Sequence, residues 1–369
     1  MKVTGIGFVG VGCISPVYLE NVSNMFENIR IVGVCDLIRE RAENAAEKYG
    51  IGKVYADMYE LFADPEVEIV LNLTRPYEHY EVTKAALLAG KHVYSEKPLA
   101  PRFSEAKELY ELAQEKGLCL GGAPDTFMGA GIQTARKLID DGFIGIPIAG
   151  QVQFAGHGPE SWHQDSEFYY QYGGGPMLDM GPYYMTALMN LLGRASEVCG
   201  MTRITFPERP MLCGPKYGNM MKVEVPTHEA GTIRFENGAI IQVLASFDVY
   251  NKGGVPIKIF GTEGTIIVPD PNNFGGEVQV LRAGEKEFKS IPLLFPYDKQ
   301  CRALGLADMA EAIETGRSYR ANSMQQLHLV EILNAFHTSS ETGQTVRLTS
   351  EYQRQEPMHY TQILGKSYI

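Results

Sequence analysis

Three separate stretches of this 369-residue chain carry residue types that could do chemistry together. The first is the turn Gly10-Val11-Gly12-Cys13-Ile14-Ser15, followed by Asp36 at the end of the next apolar run. Gly10 permits a tight turn, and Gly12 lets a pyrophosphate approach the backbone beside Cys13 and Ile14 at a helix N-terminus. Ser15 is small enough to replace the third glycine of the dinucleotide fingerprint. Asp36 could accept hydrogen bonds from both ribose hydroxyls, which favours NAD and repels a 2′-phosphate. Arg39 lies close enough to pair with such a phosphate, so NADP stays possible. The second stretch is Glu96-Lys97-Pro98. A lysine at the carboxyl end of a strand, beside a nicotinamide, places a cation where a reacting oxygen changes charge. Lys97 can hydrogen-bond a substrate hydroxyl there and favour its alkoxide, whereas most lysines are merely surface residues. The third is "GGGPMLDMGPYYM", Gly173 to Met185. Here two readings stand. Asp179 could cap a helix with Pro182 in its first turn, or it could align with Tyr183 four residues on, facing a site.

Elements at the right places are needed to hold these residues. "VTGIGFVGVG", "IRIVGVCD", "EIVLNLT", "HVYSEKP" and "LCLGGAP" are short apolar runs, and helical stretches such as "RERAENAAEKYG" and "SEAKELYELAQEKG" alternate with them. That alternation implies a doubly wound parallel sheet, which binds ligands at the carboxyl ends of its strands. From about Thr126 the pattern changes. One helix, "GAGIQTARKLIDDG", precedes alternating strands such as "IPIAGQVQFAGHG". Two hairpins are expected, turning at Glu236-Asn237-Gly238 and Thr262-Glu263-Gly264, with two late helices. The expected architecture is therefore α/β: an N-terminal Rossmann domain (1–124) and a C-terminal α+β domain (125–369) built on a large, mainly antiparallel sheet.

Composition narrows the partners. The net charge of −11, with no basic run, argues against nucleic acid and anionic membranes. Six scattered cysteines form no CxxC pair and no Cys/His cluster of zinc spacing, so no metal site is expected and the chain reads as reduced and cytoplasmic. The glycine-interrupted start does not read as a secretion signal, and no segment approaches a membrane span. "GHGPESWHQDSEFYYQY" holds the one tryptophan, Trp162, beside His163. Aromatic faces among hydrogen-bonding groups suit a sugar ring, though an Ω-like loop packed on itself is equally compatible. His328, on an apolar helix face, reads as a core or interface residue.

Taken in order, the glycine turn, "NLTRPYEHY", "EKP", "KLIDDGFIGIP", "GGGPMLDMGPYY" and the late helix around "QQLHLVEILNAF" resemble the glucose-fructose oxidoreductase/inositol dehydrogenase/MocA family over almost the whole chain. The resemblance implies oxidation or reduction of sugars, polyols and related carbonyls with NAD(P). It also implies assembly as a homodimer or homotetramer through the second domain's sheet. By resemblance, Thr74, Pro76 and His79 lie along the cofactor, Glu96 lies near its nicotinamide ribose, and the Lys97–Pro98 peptide is cis. Most of the family carries an Asp and, four residues later, a His facing the nicotinamide; these positions are Asp179 and Tyr183 here. Some members have tyrosine there, so the acid/base group changes without being lost. A free phenol titrates near ~10, and a neighbouring ammonium such as Lys97 would favour its phenolate. The expectation is a dehydrogenase acting on a secondary alcohol, with Lys97, Asp179 and Tyr183 catalytic and these three with Trp162 and His163 binding substrate. The resemblance also admits a glycosidase that oxidises its sugar transiently, and a non-catalytic dinucleotide- or sugar-binding regulator.

Overall fold

The computed structural model describes residues 2–251 and 253–360. Strands β1 (Thr4–Val9), β2 (Ile29–Cys35), β3 (Ile69–Asn72), β4 (His92–Ser95) and β5 (Leu120–Gly122) form a wholly parallel sheet in the order β2-β1-β3-β4-β5. A single parallel bridge from Val54 to Val34 adds the stub of one more strand outside β2. With it, the order reverses between β1 and β3, which sets a ligand crevice above the carboxyl ends of these two strands. Helices α1 (Ser15–Asn24), α2 (Arg39–Tyr49), α3 (Met58–Ala63), α4 (His79–Leu88) and α5 (Phe103–Lys116) make the crossovers. Every residue of β1 and β3 is buried, so neither run alternates; both are apolar but for Thr4 and Asn72 at their ends. Gly50 and Gly117 end α2 and α5 in the left-handed conformation that an L side chain disfavours. Ser15 does not cap α1. It already lies in the first turn, where its hydroxyl donates to the Gly12 carbonyl at 2.8 Å.

The second layer system starts with α6 (Ala130–Asp140) and β6 (Pro147–Ala155), followed by α7 (Pro176–Asp179) and α8 (Gly181–Leu192). Then come β7 (Ala195–Arg203), a small ribbon of β8 (Glu208–Pro210) and β9 (Met220–Lys222), β10 (His228–Phe235) and β11 (Ile240–Ser246). After these follow β12 (Ile257–Gly261), β13 (Gly264–Val268), β14 (Val278–Arg282) and β15 (Lys289–Ile291), then α9 (Leu304–Thr315), α10 (Ser323–Thr342) and β16 (Val346–Arg347). Nine strands pair in the order β15-β14-β13-β12-β6-β11-β10-β7-β16. The sheet is antiparallel at seven of its eight joints; β6 and β11 run parallel, because the chain between them crosses over through α7 and α8 instead of turning back. The β10–β11 and β12–β13 hairpins form as the turn residues imply, with Gly238 at φ +90°.

One face of this sheet is covered by helices: Phe154 of β6 stacks on Tyr184 of α8 at 4.5 Å, and Phe336 of α10 lies against Gly200 of β7. The other face presents Gln151, Cys199, Met201, Thr232 and Gln242 to solvent. Helix α10 also reaches the parallel sheet, where Gln326 donates to the Gly122 carbonyl at 2.8 Å. The two sheets are thus bound together by the chain's return. His328 of α10 is wholly buried between Ser350 Oγ (2.8 Å) and the Ala195 amide (3.2 Å), and burial pushes its imidazole down to about 4. It is a packed, neutral core residue.

Candidate active site

The glycine turn has the form a dinucleotide needs. Gly10 sits at φ +93° against the Leu73 backbone, whereas a Cβ on Gly12 would meet nothing within 4 Å, so the turn opens onto free space. Cys13 is exposed and Ile14 half-buried beside it. Asp36 is locked next to this turn: Oδ2 accepts from the Val11 amide at 2.6 Å and Oδ1 from the Ile38 amide at 2.8 Å. Arg39, the candidate phosphate partner, is paired instead with Glu43 at 2.7 Å on the exposed face of α2. Open backbone at a helix N-terminus, with a fixed carboxylate beside it, fits pyrophosphate and ribose.

Across the crevice, Thr74 is held by Asn72 Oδ1 at 2.7 Å, and Pro76 opens a single 3₁₀ turn leading into α4. His79 lies behind this surface rather than on it. It is buried, with Nδ1 2.7 Å from the Pro98 carbonyl and Nε2 3.1 Å from the Thr74 carbonyl. Burial lowers its pKa, and its visible role is to tie the Thr74 loop to the Lys97–Pro98 segment. Glu96 is also anchored. Its carboxylate accepts from Tyr18 Oη at 2.7 Å and from the Lys97 amide at 2.9 Å. The Lys97–Pro98 peptide is cis, as is Ala123–Pro124.

Lys97 leaves the end of β4 and reaches the second layer system. Its Nζ donates to the Asp179 carbonyl at 2.6 Å and to Asp179 Oδ1 at 2.8 Å, and lies 5.2 Å from the centre of the Tyr183 ring. Burial works against the ammonium, but the charges of Asp179, Tyr183 and Glu96 outweigh it and hold the pKa above the usual lysine value. Lys97 is therefore a fixed cation, able to stabilise negative charge and unsuited to act as a base. Asp179 and Tyr183 do not share one helix. Asp179 ends α7 and Tyr183 sits in α8, with Met180 between as the N-cap residue of α8. The helix-cap reading of Asp179 is thus overturned, and the four-residue spacing does not explain the arrangement: both groups reach Lys97 across a break in the helix. The glycines of "GGGPMLDMGPYYM" are held in close protein contacts. Gly173 (φ +85°) packs against Pro76 and Pro101, while a Cβ on Gly174 would fall 2.5 Å from the Tyr169 carbonyl. At Gly174 the close approach of the chain to itself requires glycine, and at Gly173 the left-handed backbone does.

The aromatic loop forms a wall over this site. Trp162 is 65% exposed, with its ring edge-on to His163 (5.6 Å) and Tyr169 (6.2 Å). Burial and then the neighbouring Asp179 charge push the Tyr169 phenol up. Burial also pulls the His163 imidazole down, against Asp165 and Asp179. The loop is pinned to the parallel-sheet side by an Arg75–Asp165 ion pair, by Arg75 stacking 4.5 Å over Phe168, and by Tyr172 donating to Glu105 at 3.0 Å. From behind it is held by buried Arg209, which pairs with Glu160 and with Asp248 at 2.7 Å. Sequence reading missed Tyr18, Arg75, Tyr169 and, above all, Arg302. The Arg302 guanidinium is buried, and its Nη2 lies 3.4 Å from Tyr183 Oη. The one local signal was a cation opening the apolar run "CRALGLADMAEAI".

Residues 4–122 match the oxidoreductase family with an NAD-binding Rossmann fold, GFO/IDH/MocA, and residues 132–267 match the GFO/IDH/MocA C-terminal domain. The chain belongs to the GFO/IDH/MocA family. Its parallel sheet is accordingly the family's NAD-binding domain. Among curated relatives, an inositol 2-dehydrogenase/D-chiro-inositol 3-dehydrogenase from Lactiplantibacillus plantarum is 32% identical over 149 residues, 40% of this chain and 42% of that one. That match spans less than half of the relative's length. A scyllo-inositol 2-dehydrogenase (NAD(+)) from Bacillus subtilis is 27% identical over 343 residues, 92% of this chain and 95% of that one. Among solved structures, levoglucosan dehydrogenase in complex with NADH and L-sorbose superposes with a TM-score of 0.81 at 23% identity, covering 95% of this chain and 100% of that one. At this identity the likeness establishes the fold. No group of acidic, histidine or cysteine side chains suited to a metal ion occurs among the described residues, and no helix among them is long and apolar enough to cross a membrane.

Proposed function

We propose that this protein is an NAD-dependent dehydrogenase acting on a secondary alcohol, or the matching ketone, of a sugar, polyol or glycoside. The observation that carries the reading is the placement of the Lys97 ammonium between the Asp179 carboxylate and the Tyr183 ring, 2.8 and 5.2 Å away. With residues 1–124 taken as the cofactor domain and 125–369 as the substrate domain, these groups come from both sides of the cleft. Bound NAD would supply the hydride acceptor at the floor of this cleft, held by Gly10, Gly12, Cys13, Ile14 and Asp36, with Thr74, Pro76 and Glu96 along its length. Tyr183 takes the hydroxyl proton in oxidation and returns it in reduction, as a general base and acid. Lys97 holds the oxygen's developing negative charge, and Asp179 fixes the ammonium in place. Trp162 and His163 form the outer wall against which the rest of the sugar packs.

The preference for NAD rests on Asp36, and the engagement of Arg39 by Glu43 supports it. Relatives that act on inositols support the polyol class. The solvent-facing side of the large sheet is the surface through which we expect a homodimer or homotetramer to form, in the cytoplasm, with no nucleic acid or membrane as partner. The test is turnover of NAD with a panel of cyclitols, aldoses and anhydrosugars by the parent, Lys97→Met and Tyr183→Phe. The parent should reduce NAD with at least one of them, and each variant should lose roughly 100-fold or more in kcat. Full activity in both variants would sink the assignment.

A further inference from the structure

Tyr183 has two cationic neighbours, and the mechanism above uses only Lys97. The second is Arg302, 8% exposed, in the segment entering α9. Its guanidinium lies 5.8 Å from the centre of the Tyr183 ring, with Nη2 3.4 Å from the phenolic oxygen. The fork is held rigidly by neutral acceptors. Nη2 donates to Asn272 Oδ1 at 2.7 Å and Nη1 to Gln300 Oε1 at 2.8 Å. The Arg302 carbonyl in turn accepts from Asn21 of α1 at 2.8 Å. The nearby carboxylates are committed elsewhere: Glu96 to Tyr18 and the Lys97 amide, Asp125 to the Gly305 amide at 3.0 Å. A buried positive charge is thus aimed at one phenol, with amide oxygens and not an anion completing its hydrogen bonds.

Donor chemistry gives this arrangement its meaning. A guanidinium and an ammonium have donors and no acceptor. A tyrosine flanked by both cannot give its own proton to either, so the hydroxyl must point to an acceptor elsewhere. The remaining side is the cleft, where a substrate oxygen would lie. We propose that Arg302 is the positioning residue for Tyr183: donating from a buried fork, it keeps the phenol's proton directed at the substrate oxygen and balances the negative charge left when that proton moves. The inference rests on the reading that Tyr183 is the proton-transfer group. In reduction, bound NADH would supply the hydride that adds to the carbonyl carbon; the C=O π pair becomes a lone pair on oxygen, and the phenol's O–H bond breaks as the substrate's forms. Oxidation returns the proton to the phenolate. A histidine in this place titrates near neutrality unaided, whereas a free phenol does so only near ~10, so a tyrosine needs a partner that histidine does not.

The test needs no substrate. The whole protein is labelled with 3-fluorotyrosine, and the ¹⁹F resonance that disappears in Tyr183→Phe is followed as pH rises, in the parent, Arg302→Gln and Arg302→Lys. The charged and titratable groups around Tyr183, besides Arg302, are Lys97 at the end of β4, Asp179 of α7 and Tyr169 of the aromatic loop, all unchanged across the series. The expected result is a transition displaced to higher pH in Arg302→Gln by roughly 1 to 3 units, with a smaller displacement in Arg302→Lys. A Tyr183 resonance that titrates no earlier in the parent than in Arg302→Gln overturns the proposal. Should Arg302→Gln fail to fold, Arg302→Lys keeps the charge and withdraws the fork, and an unmoved transition there overturns it equally. Undiminished turnover by Tyr183→Phe would instead refute the proton-transfer reading itself, which separates the two failures.

Discussion

Replacing Asp179 with asparagine isolates what the carboxylate does for Lys97. The two side chains are 14% and 21% exposed, and Oδ1 lies 2.8 Å from Nζ. At an effective dielectric of about 20, opposite unit charges this close attract by about 6 kcal/mol before desolvation is subtracted. Asparagine keeps an oxygen that can accept the same hydrogen bond, and the main-chain carbonyl at 2.6 Å stays, so only the charge is removed. Burial already pulls the Lys97 pKa down, and Asp179 is the largest of the charges raising it. Without it the ammonium should lose its proton roughly 2 to 4 pH units earlier. The assay is the pH dependence of kcat/KM for reduction of the ketone by NADH. In the parent, Lys97 stays cationic into the alkaline range and imposes no loss there. In Asp179→Asn, activity should begin to fall lower in the alkaline range than the parent's does, by the same roughly 2 to 4 units, and should recover on acidification. A variant whose profile runs parallel to the parent's at every pH would refute the reasoning. It would mean that Asp179 orients the substrate and the ammonium is held by other charges.

Two further outcomes follow from groups already described. Asp36→Ser should weaken NAD binding by roughly 10-fold or more and improve NADP binding, read by titrating nucleotide fluorescence. The exposed Arg39–Glu43 pair contributes at most about 1 kcal/mol, so Arg39 is easily released to meet a 2′-phosphate once the carboxylate is gone. Asp125 is buried, and burial raises its pKa to about 6 despite the Gly305 amide and Arg302. The native state then keeps a proton that the unfolded chain loses near ~3.9, so stability falls as pH rises from about 4 to about 6 and stays lowered above. Asp125→Asn, which can still accept from Gly305, should be more stable than the parent by about 1 to 3 kcal/mol at pH near 8 and by little below a pH of about 4, in urea melts. Equal gains at both pH values would mean that the carboxylate is not strained by burial.

The cofactor side of this molecule was legible because its signals are local. A strand, a glycine turn, a helix and a carboxylate at the end of the next strand are all set by neighbours in sequence, and they fold where their pattern says. The short α3 escaped notice because six residues make less than two turns, held chiefly by Asp57 capping the Tyr59 and Glu60 amides. The parallel β6–β11 joint escaped because alternation reveals a strand without revealing its partner, and a hairpin-rich segment suggests antiparallel neighbours by default. Arg302 was invisible for the same reason on a larger scale. Its partner lies 119 residues upstream, and no periodicity records a meeting made by the chain's return.

The choice between Tyr183 and Tyr184 shows how far a local rule can carry such a site. Successive residues on a helix point about 100° apart, so the two phenols of α8 cannot face the same way. Tyr184 stacks on Phe154 of β6 and reaches Asp270 at 3.4 Å, which fixes that direction as the one facing the sheet. Tyr183 must then turn from the sheet towards the neighbouring elements, where Lys97 and Arg302 lie. The crossover that makes β6 and β11 parallel is what lays α8 across the sheet, and the sheet contact of Tyr184 then sets the helix's rotation. A substitution that loosens that contact, Tyr184→Ala, should therefore disturb the Tyr183 phenol through the helix, although Tyr184 points the other way. Loss of turnover with unaltered NAD binding is the expected result. Unaltered turnover would show that the break at Met180 and the Arg302 fork hold Tyr183 without help from the sheet.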